Sequence, residues 1–126
     1  MTDDELIYEP IPWMSKREIN SVIRNNEPGV LSIAVLSAAL YSGDGIWAEK
    51  ICYKLVQHPH ANVRGNALQS LGHIARVHGT LDRKRAIKIL QAALNDEHED
   101  VRGNAYNALE DVKHYIKRNG RWVGHP

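Results

Sequence analysis

The chain has 126 residues, of which 43% are hydrophobic and 25% are charged, and its formal net charge at pH 7 is +1. This length supports one hydrophobic core and excludes two independent ones. A charge so close to balance excludes strong long-range attraction to nucleic acid or to an anionic membrane.

The cysteine content and the N-terminal residues bear on the cellular compartment. The single cysteine, Cys52, cannot form a disulfide within the chain. The first residues, MTDDELIYEP, are acidic where a secretory signal has a basic flank. No stretch reaches the roughly 20 apolar residues that span a bilayer. We therefore expect a cytoplasmic protein without a membrane partner.

The first predicted element is an extended N-terminal strap over residues 1–14, because its apolar stretch LIYEPIPWM contains prolines that oppose a helix. Ser15 and Glu18 have the spacing of a capping box, and the helix that they begin ends at NNEPG. The apolar run VLSIAVLSAAL follows as a second helix. We assign residues 15–41 to a degenerate helix pair in which Val30 and Ala34 are core positions.

The rest of the chain contains one kind of helix pair twice, over residues 44–78 and 81–118. The near copies NVRGNALQSL and DVRGNAYNAL begin at Asn62 and Asp100. Their apolar residues recur at intervals of three and four, which predicts an amphipathic helix in each copy. A shorter helix precedes each copy across a short loop, so the two helices of a pair lie antiparallel. Residues 119–126 form a tail.

Together these elements predict an all-α fold with a single domain over residues 1–126. One helix pair cannot bury its apolar face alone, whereas about three stacked pairs enclose a continuous core. We predict a short right-handed solenoid of about three antiparallel helix pairs, preceded by the extended N-terminal strap.

The second helix of each repeated pair carries the pattern V-R-x-x-A-x-x-A-L, with serine replacing the second alanine in the first copy. Antiparallel pairs with this pattern, at a period of about 40 residues, resemble HEAT repeats, which are helical solenoids that act mainly as protein-binding scaffolds. The residues that carry the resemblance are Val63, Arg64, Ala67, Ser70 and Leu71, and again Val101, Arg102, Ala105, Ala108 and Leu109.

The resemblance implies a role for each motif residue of this chain. The valine, alanine and leucine would pack between the helices of a repeat. Arg64 and Arg102 would make structural contacts with a loop or with the next repeat. The first helix pair departs from the pattern, because Leu31 stands in the place of the arginine.

Two glycines occupy the same place in the repeated helix. Gly65 and Gly103 each destabilise a helix interior by about 1 kcal/mol relative to alanine. We expect both to mark close packing against a neighbouring helix or loop, in preference to backbone exposed for a ligand.

We predict that the protein binds another protein through the polar face of the repeated helices and an adjoining acidic loop. In helical solenoids the second helices commonly line the concave side, where partners are held. A solvated helix face without a ligand is the alternative, because any surface helix has a polar side. The predicted partner-binding residues are Asn66, Gln69, His73, Arg76, Asp96, Glu97, Glu99, Asp100, Asn104, Asn107, Asp111 and His114.

No catalytic residue, metal ion or cofactor is predicted. His58 and His60 are too few for a zinc site, which needs three or four ligands. The sequence lacks HExxH, a Gly-rich phosphate loop and a nucleophile elbow. Cys52 lies on a predicted helix among apolar residues, so we expect it in the core.

Three alternatives remain. An enzyme or ligand-binding protein would use His73, Asp111 and His114. Direct binding of nucleic acid would use the basic cluster DRKR at residues 82–85 with Lys88, although the near-neutral total charge opposes it. An adaptor subunit of a larger complex would use the same surfaces as the predicted binding module.

Small HEAT-like proteins without a catalytic signature resemble bacterial immunity or antitoxin proteins. Such proteins neutralise a toxin domain by occluding its site. The resemblance implies a toxin domain as the partner, and the acidic loop from Asp96 to Asp100 would suit a basic, nucleic-acid-cleaving one.

Overall fold

The computed structural model describes residues 10–117, and this part of the chain forms α-helices without a strand. The helices are α1 Lys16–Asn25, α2 Pro28–Tyr41, α3 Gly45–Leu55, α4 Ala61–His78, α5 Arg83–Ala93 and α6 Glu99–Tyr115. The predicted all-α fold is confirmed. No helix in the described residues is long and apolar enough to cross a bilayer.

Side-chain caps begin three of the helices. At the start of α1 the Ser15 amide donates to Glu18 Oε1 at 2.8 Å, and the Glu18 amide donates to Ser15 Oγ at 3.1 Å. Asp44 caps α3 and Asp82 caps α5, each by accepting a hydrogen bond from a first-turn amide. Each cap satisfies a backbone donor that has no partner within the helix, and contributes about 1 kcal/mol.

The helices form antiparallel pairs, α1 with α2, α3 with α4, and α5 with α6. The second helices pack against one another in order, α2 on α4 and α4 on α6. The first helices α3 and α5 do not pack closely on each other. The stack therefore closes on the side of the second helices and opens on the side of the first helices, as in a curved helical solenoid.

One hydrophobic core runs through the three pairs. The valine, alanine and leucine of the repeated motif are buried in both copies. Cys52 is also fully buried, and burial raises the pKa of its thiol. The thiol is therefore neutral and packs as a small apolar side chain, as the sequence predicted.

The predicted core of α2 is correct at one of its two positions and wrong at the other. Ala34 is buried as predicted, at 1% exposed, but Val30 is 36% exposed and its neighbour Leu31 is 0% exposed. The prediction was wrong because α2 is apolar on nearly every side, so its periodicity does not select a face. Packing of α2 on α4 makes that selection instead.

Residues 10–15 approach α1 without regular secondary structure. The Met14 amide donates to Ser37 Oγ at 2.9 Å, so this end of the predicted strap lies against α2. Most of the predicted strap and the whole of the predicted tail lie outside the described residues. The predicted boundaries of the domain and its segments therefore stay predictions.

The glycines of α4 allow α6 to approach closely. A Cβ atom on Gly72 would lie 3.0 Å from the Cα atom of Ala108, and one on Gly65 would lie 2.7 Å from Nδ2 of Asn104. At Gly103 nothing lies within 4 Å of the Cβ position. The expectation of close packing is confirmed at Gly65 and wrong at Gly103, because Gly103 lies on the last helix of the described stack and no further helix covers it.

Alanine substitutions at two of these glycines are expected to change stability in opposite directions. Gly103→Ala should raise the free energy of unfolding by up to about 1 kcal/mol, because alanine has the higher helix propensity and meets no neighbour there. Gly72→Ala should lower it by about 1–2 kcal/mol, because the new methyl group meets the α6 backbone. Urea denaturation followed by circular dichroism measures both changes. A change of the same sign for both variants would contradict the packing of α4 on α6.

Candidate functional site

An open groove lies between the first halves of α4 and α6 and has a volume of about 630 Å³. Asn62 and Asn66 line it from α4, and Asn104 and Asn107 line it from α6. The groove thus brings together three asparagines of the predicted partner-binding face and a fourth, Asn62, which the prediction did not include.

The groove exists because α4 and α6 lie side by side and run in the same direction. Their contacts advance together along both helices, from Gly65 with Asn104 to Gly72 with Ala108. Because Gly65 has no side chain, the Asn104 amide occupies the space beside the α4 backbone. Corresponding positions of the two repeats therefore become near neighbours.

The rim of the groove is acidic. Glu99 and Asp100 lie in the first turn of α6, are exposed and line the groove. Glu97 is exposed in the preceding loop, 3.9 Å from Nε2 of His98. Within residues 10–117 neither Glu99 nor Asp100 has a lysine or arginine nitrogen within 4.0 Å. The groove therefore offers side-chain amides and carboxylates to a protein segment that carries basic residues.

The second half of the predicted face contains a cluster of His73, Arg76 and Asp111. Arg76 Nη2 donates to His73 Nδ1 at 2.9 Å. Burial lowers the pKa of His73, the positive charge of Arg76 lowers it further, and the Asp111 carboxylate acts in the opposite direction. His73 is therefore neutral at pH 7, and Asp111 lies near enough to influence its titration.

The remaining residues of this half are not part of that cluster. Gln69 is half-buried on α4. His114 is exposed, and its ring meets the Tyr115 ring edge-on with the centroids 4.6 Å apart. Among the residues that the structure describes, no three His, Cys, Asp or Glu side chains converge to hold a metal ion.

Arg64 joins the second helix pair to the third. Its Nε and Nη2 atoms donate to the two carboxylate oxygens of Asp96, each at 2.9 Å. Its Nη1 atom donates to the carbonyl oxygens of His58 and Pro59 in the loop between α3 and α4. This is the structural contact with a loop and with the next repeat that the HEAT resemblance implied. Both carboxylate oxygens of Asp96, a predicted partner-binding residue, are thus engaged inside the protein.

Arg102 repeats part of this arrangement at the end of the stack. Its Nη1 atom donates to the carbonyl oxygen of Asp96 at 2.8 Å, as Arg64 does to its own loop. The Arg102 side chain is exposed, and within residues 10–117 no carboxylate lies within 4.0 Å of it. Arg102 therefore keeps the loop contact of the motif arginine but lacks, within the described residues, the carboxylate partner that Arg64 has.

The basic cluster at residues 82–88 is divided by internal contacts. Arg83 Nε donates to the carbonyl oxygen of Ile116 at 2.7 Å. The Arg85 guanidinium lies 3.9 Å from the centroid of the Tyr53 ring. These two cations hold neighbouring helices and do not form one continuous basic surface.

The sequence analysis also missed a buried polar link between α3 and the start of α5. Glu49 is 0% exposed and accepts hydrogen bonds from the Tyr53 hydroxyl at 2.6 Å and from the Asp82 amide at 3.0 Å. Nothing in the local pattern around Glu49 indicates burial. The missed groove residue Asn62 is different, since it lies in the repeated segment one turn before Asn66 and could have been found by extending the polar face.

A family model of HEAT repeats matches residues 48–117, which is more than half of the chain. The protein belongs to the HEAT-repeat family. The match covers the two helix pairs in which the sequence motif recurs. The first helix pair lies outside it, in agreement with its departure from the sequence motif.

This HEAT-repeat protein is also similar in three dimensions to a chain of the CDI complex from Cupriavidus taiwanensis LMG 19424. The two chains have 28% sequence identity and superpose with a TM-score of 0.75. The similarity covers 86% of this chain and 96% of the other. The comparison with curated proteins gives no match.

The stability of this HEAT-repeat protein is expected to fall in acid through Asp96. The hydrogen bond from Arg64 is the largest of the effects that lower the pKa of the Asp96 carboxyl. Because the folded-state pKa lies below the ordinary value of about 3.9, the contribution of the ion pair is fully present above that value. It is lost as the pH falls through the folded-state pKa.

Asp96→Asn removes this titration, so its stability should depend less steeply on pH than that of the wild type between about pH 5 and pH 2. Urea midpoints of the two proteins across this range measure the difference. Parallel curves would contradict the role of the Arg64–Asp96 pair.

Proposed function

We propose that this HEAT-repeat protein is a bacterial immunity protein, which binds a toxin domain and neutralises it without catalysing a reaction. One observation carries the proposal: the chain is similar, over nearly the whole length of both proteins, to a chain of a CDI complex, a toxin–immunity system. HEAT repeats stack into extended surfaces that hold protein partners, which is the kind of surface that the second helices form.

We infer that the toxin domain docks in the groove between α4 and α6. The asparagine amides there both donate and accept hydrogen bonds, so they can bind the backbone of a protein segment. Arg102 extends the contact surface at the end of the stack. Its guanidinium could bind a carboxylate of the partner in the way that Arg64 binds Asp96. The outer part of the surface is the other half of the polar face, with Gln69, His73, Arg76, Asp111 and His114.

The acidic rim favours a basic partner, such as a toxin domain that cleaves nucleic acid. An enzyme that binds a phosphate backbone needs cations in its site. The carboxylates of Glu97, Glu99 and Asp100 can pair with such cations and so exclude the substrate from the site. The proposed place of action is the bacterial cytoplasm.

The test uses the reading frame next to the gene. The C-terminal domain of its product is expressed in a bacterial host with and without this protein, and growth is followed. The two purified proteins are then titrated by isothermal titration calorimetry. We expect co-expression to restore growth, and a one-to-one complex with a Kd of about 10 nM or lower, as in tight enzyme–inhibitor complexes.

Two results would count against this function. A complex that forms without protecting growth would contradict neutralisation. Failure to bind the neighbouring toxin domain, together with stable co-purification in a larger assembly, would favour an adaptor subunit instead.

A further inference from the structure

A separate cleft of about 530 Å³ lies between α3 and α5, on the side of the first helices. It forms because these two helices do not pack closely on each other, while α4 lies beneath them. Val56 and Ile89 line its sides, and Leu68 of α4, which is 1% exposed, closes its floor. The interior of the cleft is therefore apolar.

Two cations stand on one wall of this cleft. Arg85 and Lys88 lie about one turn apart on α5 and both line the cleft. The Arg85 guanidinium lies over the Tyr53 ring, 3.9 Å from its centroid, and its N–H groups make no hydrogen bond within residues 10–117, so they are available to an anion. Asp96 also lines the cleft, but its carboxylate is paired with Arg64. The rim is therefore positive.

We propose that this cleft binds an amphiphilic carboxylate, with its alkyl chain against Val56, Leu68 and Ile89 and its carboxylate on Arg85 and Lys88. The volume falls within the range of about 300–1,000 Å³ of small-molecule sites. A planar carboxylate accepts two parallel hydrogen bonds from a guanidinium. Removal of the alkyl chain from water favours binding further.

The apolar walls and the two cations together select an amphiphilic carboxylate over other classes of ligand. A cationic amphiphile would be repelled by the positive charges of Arg85 and Lys88. A wholly polar anion would leave the apolar walls in contact with water, and would gain nothing from the floor at Leu68. The cleft is also separate from the groove between α4 and α6. Leu68 lines the cleft and Asn66 lines the groove, and two residues at about 100° each place them on opposite sides of α4.

The probe is decanoate, titrated into the ¹⁵N-labelled full chain below the concentration at which it forms micelles. We expect saturable shifts of the amide signals centred on Val56, Leu68 and Ile89, and no saturable shifts at the groove residue Asn104. Acetate, which lacks the alkyl chain, and decyltrimethylammonium, which carries the opposite charge, should produce no saturable shifts in the cleft.

Variants on α5 then test the charged wall. R85Q/K88Q should weaken decanoate binding by at least about tenfold, through the loss of charge-assisted hydrogen bonds. K84Q is the matched control, because Lys84 is exposed on the same helix and does not line the cleft. Since Arg85 also stacks on Tyr53, Lys88→Gln alone provides a variant that leaves that contact in place, and it should weaken binding by about threefold.

The proposal is overturned by an absence of saturable shifts, by shifts centred outside the cleft, or by wild-type affinity in a folded R85Q/K88Q variant. Binding of an acidic, leucine-containing peptide in the cleft without binding of decanoate would also overturn it. None of these results depends on the identity of the toxin domain.

Discussion

Replacing Arg64 by alanine is expected to lower the free energy of unfolding by about 3 kcal/mol. The guanidinium joins the loop between α3 and α4, through the carbonyl oxygens of His58 and Pro59, to Asp96 in the next helix pair. The two side chains of the ion pair are only 13% and 15% exposed. Alanine would leave the Asp96 carboxylate largely buried without its cation, which destabilises more than the loss of an exposed ion pair.

Urea denaturation measures this change, and an unaltered slope of the transition shows that the surface exposed on unfolding is the same. Arg102→Ala is the matched control, because it removes the same side chain from the same motif position but only one hydrogen bond to a carbonyl oxygen. We expect it to lower stability by about 1 kcal/mol. Arg64→Lys keeps the charge without the bidentate geometry and should lie between the two. Equal losses for the two alanine variants would contradict the role of Arg64 in joining the helix pairs.

Asn107→Arg is expected to weaken the proposed complex with a toxin domain by about 30-fold or more. Asn107 is exposed on α6 and lines the groove, so a longer side chain fills the groove without disturbing the core. The added positive charge lies on the same helix as Glu99 and Asp100, and it offsets the acidic rim proposed to attract a basic partner. A larger Kd in calorimetry and a loss of growth protection would show the effect.

The matched control for this variant is Gln91→Arg. It makes a similar change, from a side-chain amide to arginine, at an exposed position of α5 outside the groove. Both variants should unfold at the same urea concentration as the wild type. If Asn107→Arg kept full affinity for a toxin domain that the wild type neutralises, the groove would not be the contact surface, although the immunity function would stand.

The described stack ends with charged side chains in places where the preceding repeat has small buried residues. Gly72 and Ala75 are buried in α4, whereas the corresponding residues of α6, Glu110 and Lys113, are exposed. Charges in these places oppose the packing of a further helix pair, because burial of an unpaired charge is unfavourable. A polar outer face is typical of terminal repeats in solenoids. Arg102, at this end of the stack, is the motif arginine that in the preceding repeat, as Arg64, binds a carboxylate of the next helix pair.

The amino-acid sequence by itself determined the helices and their pairing. The apolar periodicity, the capping box at Ser15 and the short loops act within a few residues of where they occur in the chain. The duplicated segments at Asn62 and Asp100 added that two pairs are one unit used twice, which predicts stacking. These signals were sufficient for the all-α solenoid.

Only the tertiary structure decided which of two residues with similar local sequence is buried. Since α2 is apolar on nearly every side, its packing on α4 determines that Leu31 is buried and Val30 is exposed. Gly65 and Gly103 have the same local sequence, yet Asn104 covers the first and nothing in the described residues covers the second. The difference arises because one repeat has a neighbouring helix on this side and the other does not, and the local sequence does not indicate which repeat has the neighbour.

The same limit applies to the candidate site. The sequence identified the acids and asparagines of the polar face, but did not distinguish Asp96, which Arg64 neutralises, from Asp100, which lines the groove. The two aspartates belong to one acidic segment and differ little in local chemistry. The contact of Arg64 with Asp96, 32 positions apart in the chain, pairs that carboxylate within the fold, whereas Asp100 has no lysine or arginine partner in the described residues.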